Sequence, residues 1–360
     1  MKNVFVSDCE GPISKNDNAF ELTAHFVPNG DKLFALISKY DDVLADVLKR
    51  QDYTAGNTLK LILPFLKAYG VTDALMQKFS AQNLILIAGS RDTLQYVQAF
   101  TAAFIVSTSY EHYIKALCAV LQFPYENAYC THVSLDKYQL NARETARLIE
   151  IADEIAHMPV ISIPQVAKGI DDFSIADQET IMRLDDIFWT EIASMPIGTL
   201  FHEVTPIGGR QKAEAVKDVA AKLGVTLDGV MYVGDSITDV EAFKLVKDNG
   251  GLTVSFNGNQ YAVKNAEVAV LAENNIVTAI IADLFCKLGK QETMRVLKNW
   301  SLETLRRTSV SPLLLNKLSV LYPKVLPKTQ IVTSENMEIL VKESSEFRKK
   351  VRGEAVGGLG

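Results

Sequence analysis

Short apolar, β-prone runs bounded by Ser, Asp and Gly recur along this 360-residue chain. They fall at Val4–Val6, Phe104–Val106, Val230–Val233 and Leu252–Phe256, with stretches of helical period between them. That alternation predicts an α/β chain: a Rossmann-like three-layer core with a parallel sheet covered by helices on both faces. In such sheets ligands bind beyond the carboxyl ends of the strands, so the polar residues just after each run are where chemistry is expected.

Two segments interrupt the alternation. Residues 15–83 carry Leu33, Phe34, Leu36 and Ile37, then Leu59, Leu61, Ile62, Phe65 and Leu66, at helical spacing, and read as a helical cap inserted after the first strand. Residues 134–202 contain Ala142–His157, whose apolar positions are again helical in period, and read as a second helical insertion. The core is then expected from residues 1–14, 84–133 and 203–300, with a polar, basic C-terminal extension over 301–360. Its end, Gly357–Gly360, is expected to fray.

Bulk chemistry excludes several classes. A formal net charge of -6 offers no basic field for nucleic acid. Cys9, Cys118, Cys130 and Cys286 are too scattered for a zinc site or a disulfide framework, which fits a reducing, cytoplasmic setting. The N-terminus lacks the pattern of a signal peptide. The apolar run Ile276–Phe285 is interrupted by Asp283 and falls short of the roughly 20 residues a membrane span needs. His25, His112, His132, His157 and His202 show no ligand spacing and are expected to be structural or surface residues.

Four places after the runs can carry chemistry. Asp8 and Glu10, in Ser7-Asp8-Cys9-Glu10-Gly11-Pro12, can face one cleft if the backbone turns between them, which Gly11 permits. Asp235 and Asp239, in Gly234-Asp235-Ser236-Ile237-Thr238-Asp239, stand at the mouth of a helix and suit a hard cation, although helix capping alone would also explain them. Lys212 lies at a helix start, where the dipole disfavours a cation, so a local anion explains it better than helix stability does. Ser107 follows Phe104–Val106 and, with Thr108 and Ser109, offers hydroxyls to phosphoryl oxygens. Cys9, between two acids, reads as a small buried thiol rather than a nucleophile.

The ordered series Asp8/Glu10, Ser107, Lys212, Asp235/Asp239 resembles the four motifs of the haloacid dehalogenase (HAD) superfamily phosphatases. The resemblance implies a Mg²⁺-dependent phosphomonoester hydrolase acting on a small phosphorylated metabolite, with an aspartyl-phosphate intermediate. It implies Asp8 as nucleophile, Glu10 as acid/base, and Ser107 and Lys212 as phosphate ligands. Mg²⁺ would be held by Asp8, the Glu10 carbonyl and Asp235, with Asp239 ligating through water or orienting Lys212.

The first motif departs from the family's DxDGT pattern. Glu10 resembles the DxEGT branch, and Pro12 replaces a hydroxyl and a backbone donor. The Ser7–Pro12 segment and the large helical insertions are also similar to an archaeal family with this core, identified as energy-converting hydrogenase A subunit R. That likeness implies an accessory or regulatory subunit, weakly active or inactive, with a protein partner in a hydrogenase complex. In the HAD superfamily specificity comes from cap residues over the cleft, and no cap residue here announces its ligand; Arg91, soon after an expected strand near the cap's return, is taken as a candidate.

Overall fold

The computed structural model describes residues 2–164 and 166–359. Its centre is a seven-stranded sheet in the order β3-β2-β1-β4-β5-β6-β7. The strands are β1 (Val4–Ser7), β2 (Ala102–Tyr110), β3 (Ala128–Thr131), β4 (Val230–Gly234), β5 (Leu252–Phe256), β6 (Val268–Leu271) and β7 (Lys328–Ile331). β1 to β6 run parallel, and β7 adds antiparallel to β6. Helices cover both faces, as the alternation of runs requires. One face packs Phe5, Ile105, Met231 and Val254 against the helix Ile276–Lys298, and the other packs Val6, Val106 and Tyr232 against the helices Arg210–Leu223 and Val240–Asp248.

A third apolar cluster lies off the sheet and joins side chains from residues 19–76 with others from 133–204. The two insertions therefore share one core. Ala142–His157 is helical over the whole expected span, opened by a capping box between Asn141 and Glu144. Phe188 is fully buried at the seam, stacked on Tyr40 at 5.9 Å and set edge-on to Phe65 at 6.1 Å and at an angle to Phe201 at 6.3 Å. The Tyr40 hydroxyl donates to Asp185 and accepts from Trp189 Nε1, so this buried hydroxyl at the seam is paired.

The structure departs from sequence expectation in four places. β2 does not stop at Val106: it shifts register against β3 and continues through Ser107–Ser109 to Tyr110, whose ring enters the helical cluster. The Ile85–Ala88 segment makes only isolated bridges, at Leu86 and Ala88, rather than a strand. β3 and β7 carry too few apolar residues to stand out by pattern, whereas the apolar run of β6 was overlooked. The C-terminal extension is ordered as far as Leu359, Gly360 lying outside the described residues: β7 is followed by the helix Met337–Arg352 and a short helix Glu354–Gly357, and Leu359 packs on the helical cluster. Among the described residues no helix is long and apolar enough to cross a membrane, and all four cysteines are free.

Phe188→Ala should remove the packing that joins the two insertions and cost about 3–5 kcal/mol of stability. Urea unfolding measures this; a loss below about 1 kcal/mol would mean that the seam relaxes around the missing ring.

Candidate active site

β1 and β4 are neighbours, with Ser7 opposite Val233. The residues that follow, Asp8 and Asp235, consequently leave the sheet side by side, and Asp8 N–H donates to the Val233 carbonyl at 2.8 Å. Gly11 makes their closeness possible. It turns back with φ +105°, and a Cβ there would stand 2.1 Å from Asp235 Oδ2. Carboxylate oxygens of Asp8, Asp235 and Asp239 all lie within 4.8 Å of one another, and all three residues are buried.

Lys212, on the first turn of Arg210–Leu223, is fully buried beneath this cluster. Its Nζ donates to Asp8 Oδ2 at 2.6 Å and to Asp239 Oδ1 at 2.8 Å. The anions that hold a lysine at this helix start are thus two aspartates. Asp239 is saturated: Oδ1 also accepts from the Tyr232 hydroxyl at 2.8 Å, and Oδ2 accepts from the N–H groups of Asp235 at 2.9 Å and Ser236 at 3.0 Å. Burial disfavours the Lys212 ammonium, but Asp239 and Asp8 outweigh it and hold the lysine charged. Burial pushes Asp8 up to about 8 against the pull of Lys212, with Asp239 and Asp235 adding repulsion. A further cation beside Asp8 would bring it down.

The cluster opens onto a cavity of about 110 Å³ that Glu10, Ser107 and Thr108 also line. Glu10 Oε1 accepts from Asn18 N–H at 2.7 Å, and burial, then Asp17, pushes its carboxyl well above the ordinary range. Ser107 sits within β2 rather than at a strand-to-helix junction, its Oγ 3.1 Å from that of Ser109. Cys9 points into the core, fully buried, as its alternation with Asp8 and Glu10 requires. Pro12 presents its carbonyl to Asn275 Nδ2 at 2.9 Å. Arg91 is not in the cleft: it lies at the surface and donates to the Val120 carbonyl. From the helical cluster the cavity receives Phe34, Asp41, Asp42 and Thr58 instead.

Two residues that sequence reasoning missed complete the wall. Arg348 and Arg352, on the helix Met337–Arg352, both pair with Asp235 Oδ2, Arg352 through Nη1 at 3.1 Å. Arg352 also donates from Nε to the Lys15 carbonyl at 2.9 Å and from Nη2 to the Asn16 carbonyl. The signal was a stripe of residues four apart: Leu340, Ser344 and Arg348 are the buried positions of this helix, and Arg352 continues them. Two charged members hid the stripe from a search for apolar period.

A family model described as haloacid dehalogenase-like hydrolase matches residues 54–283, well over half the chain. The chain belongs to the haloacid dehalogenase-like hydrolases. A gene product of Archaeoglobus fulgidus has a similar structure, at 25% identity and TM-score 0.81, and the match covers 100% of this chain and 99% of that one. The likeness thus takes in the insertions and the C-terminal extension as well as the sheet. A substrate-bound phosphoserine phosphatase superposes more loosely, at 12% identity and TM-score 0.45, over 76% of this chain and 95% of its own. No curated protein matches the sequence.

Lys212→Met should leave Asp8 and Asp239 buried without their shared cation and lose about 3–5 kcal/mol, read by urea unfolding; a neutral result would mean that the carboxylates take other partners. Asp42 gives a pH dependence. Burial lifts its carboxyl from 3.8 to about 7, against Lys39. The folded state then binds the proton more tightly than the unfolded one, so this stabilisation is full below about pH 4 and is lost as pH rises through about 7. Asp42→Asn should therefore gain more stability at about pH 8 than at about pH 4, by at least about 1 kcal/mol. Equal effects at the two pH values would contradict the shift.

Proposed function

We propose that this hydrolase is a Mg²⁺-dependent phosphomonoesterase acting on a small phosphorylated metabolite, with the helical body from residues 15–83 and 134–202 as the cap over its cleft. The observation that carries the reading is the Lys212 ammonium shared between Asp8 and Asp239 at the end of β1, with Asp235 in the same cluster. A carboxylate attacking a phosphate dianion meets strong repulsion. A buried cation fixed beside the nucleophile relieves it without reorganisation during the reaction.

In this reading Asp8 attacks phosphorus and the ester oxygen departs, leaving the phosphoryl group on the aspartate. Glu10, whose raised proton affinity suits an acid, protonates the departing oxygen. It then takes a proton from the water that hydrolyses the aspartyl-phosphate, releasing phosphate and restoring Asp8. Ser107 and Lys212 receive the phosphoryl oxygens. Asp239, with both oxygens already accepting hydrogen bonds, orients Lys212 rather than binding metal directly.

The donors fit a hard dication: they are buried oxygens, and among the described residues Asp235 Oδ1 accepts no hydrogen bond. Asp8, Asp235 and the Glu10 carbonyl would hold Mg²⁺. When bound, the ion would neutralise charge on the phosphoryl group.

Hydrolysis of p-nitrophenyl phosphate and a panel of phosphorylated metabolites tests the proposal. Release of phosphate should require Mg²⁺, stop with EDTA, and fall by roughly a thousandfold or more in Asp8→Asn. Turnover unchanged in Asp8→Asn would overturn the reading. Absence of turnover on every ester, together with a partner that co-purifies equally with parent and variant, would favour the accessory-subunit alternative.

A further inference from the structure

We infer that Arg348 is a phosphate-binding residue of this cleft, delivered by the C-terminal helix. The inference rests on the phosphatase reading for the identity of the anion, but the geometry behind it is separate from the family motifs.

The two arginines on Asp235 differ in how completely they are used. Arg352 spends Nε, Nη1 and Nη2 on Lys15, Asp235 and Asn16, which makes it a clamp between the C-terminal helix and the loop after β1. The Arg348 side chain is buried to a similar degree, yet among the described residues only its Nη1 is engaged, on the Asp235 carboxylate and carbonyl. Among the described residues its Nε is buried with no hydrogen-bond partner. A buried charged donor left unpaired carries a desolvation penalty of about 1–3 kcal/mol or more, so a structural arginine here would have its fork filled, as Arg352 does.

Position points the same way. Two guanidinium groups share one Asp235 oxygen, so that carboxylate does not fill the Arg348 fork, and Arg348 lines the cavity shared by Asp8 and Ser107. A tetrahedral dianion held by Ser107 on one side can accept from a planar guanidinium on the other, the pairing for which arginine is best shaped. Inorganic phosphate and the phosphoryl end of an ester have this chemistry in common.

Calorimetric titration of the full chain with inorganic phosphate, in EDTA and again in Mg²⁺, tests the assignment. Arg348→Ala should weaken phosphate binding by about tenfold or more in both buffers, and millimolar guanidinium ion should restore part of it. Affinity within about twofold of the parent, in a variant whose melting temperature is retained, would overturn the inference. Should Arg348→Ala fail to fold, the parent still decides: the Arg348 Nε–H resonance, assigned by its loss in Arg348→Lys, should shift on adding phosphate, and an unmoved resonance would refute the contact. Arg348-dependent phosphate binding without turnover of any ester would sink the phosphatase reading alone. Turnover that needs Asp8, with phosphate binding indifferent to Arg348, would sink this one alone.

Discussion

The cleft depends on one buried ammonium. Without Lys212, the ends of β1 and β4 would set three carboxylates against one another in a place water barely reaches, and such a cluster is costly to bury. With it, each partner constrains the next. Lys212 fixes Asp8 and Asp239, and Asp239 in turn holds the N–H groups of Asp235 and Ser236 and so shapes the turn after β4. Geometry and electrostatics are here the same network, so a change at one member is felt by all.

Asp235 receives its cations from elsewhere, and the source is unusual in position. The C-terminal helix lies far along the chain from β4, yet it presents two guanidinium groups to that single carboxylate. Three acidic side chains, Asp8, Asp235 and Asp239, thereby meet three basic ones, while Glu10, Asp17, Asp41 and Asp42 line the same cavity. Asp8 still sits high in its proton affinity, because burial outweighs the one lysine it touches.

Much of the sheet could be read in advance because its central strands are apolar on both faces and end in chemistry. β1 and β4 break off at Asp8 and at Gly234-Asp235, and parallel pairing of the two runs is enough to bring those acids together. Other features had no such signature. Ser107 lies inside β2 because the strand continues past its apolar stretch into Ser and Thr residues, held there by pairing with β3 and not by its own pattern. The common core of the two insertions depends on tertiary contacts such as Phe188 on Tyr40, which no local period encodes. Arg348 and Arg352 were overlooked because a basic helix face reads as solvated until a buried acid is known to lie opposite. Arg91 was mistaken for a cleft residue because the segment before it resembles a strand yet makes only bridges.

The Arg352 clamp has a consequence for how the molecule comes together. It joins that side chain to the carbonyls of Lys15 and Asn16, 337 and 336 residues away. Contacts of such span close the largest loops and reward the chain late, after shorter-range structure has formed. A completed cleft is then a record of completed folding, and partly organised intermediates would expose their acids before they acquired the full set of counter-charges.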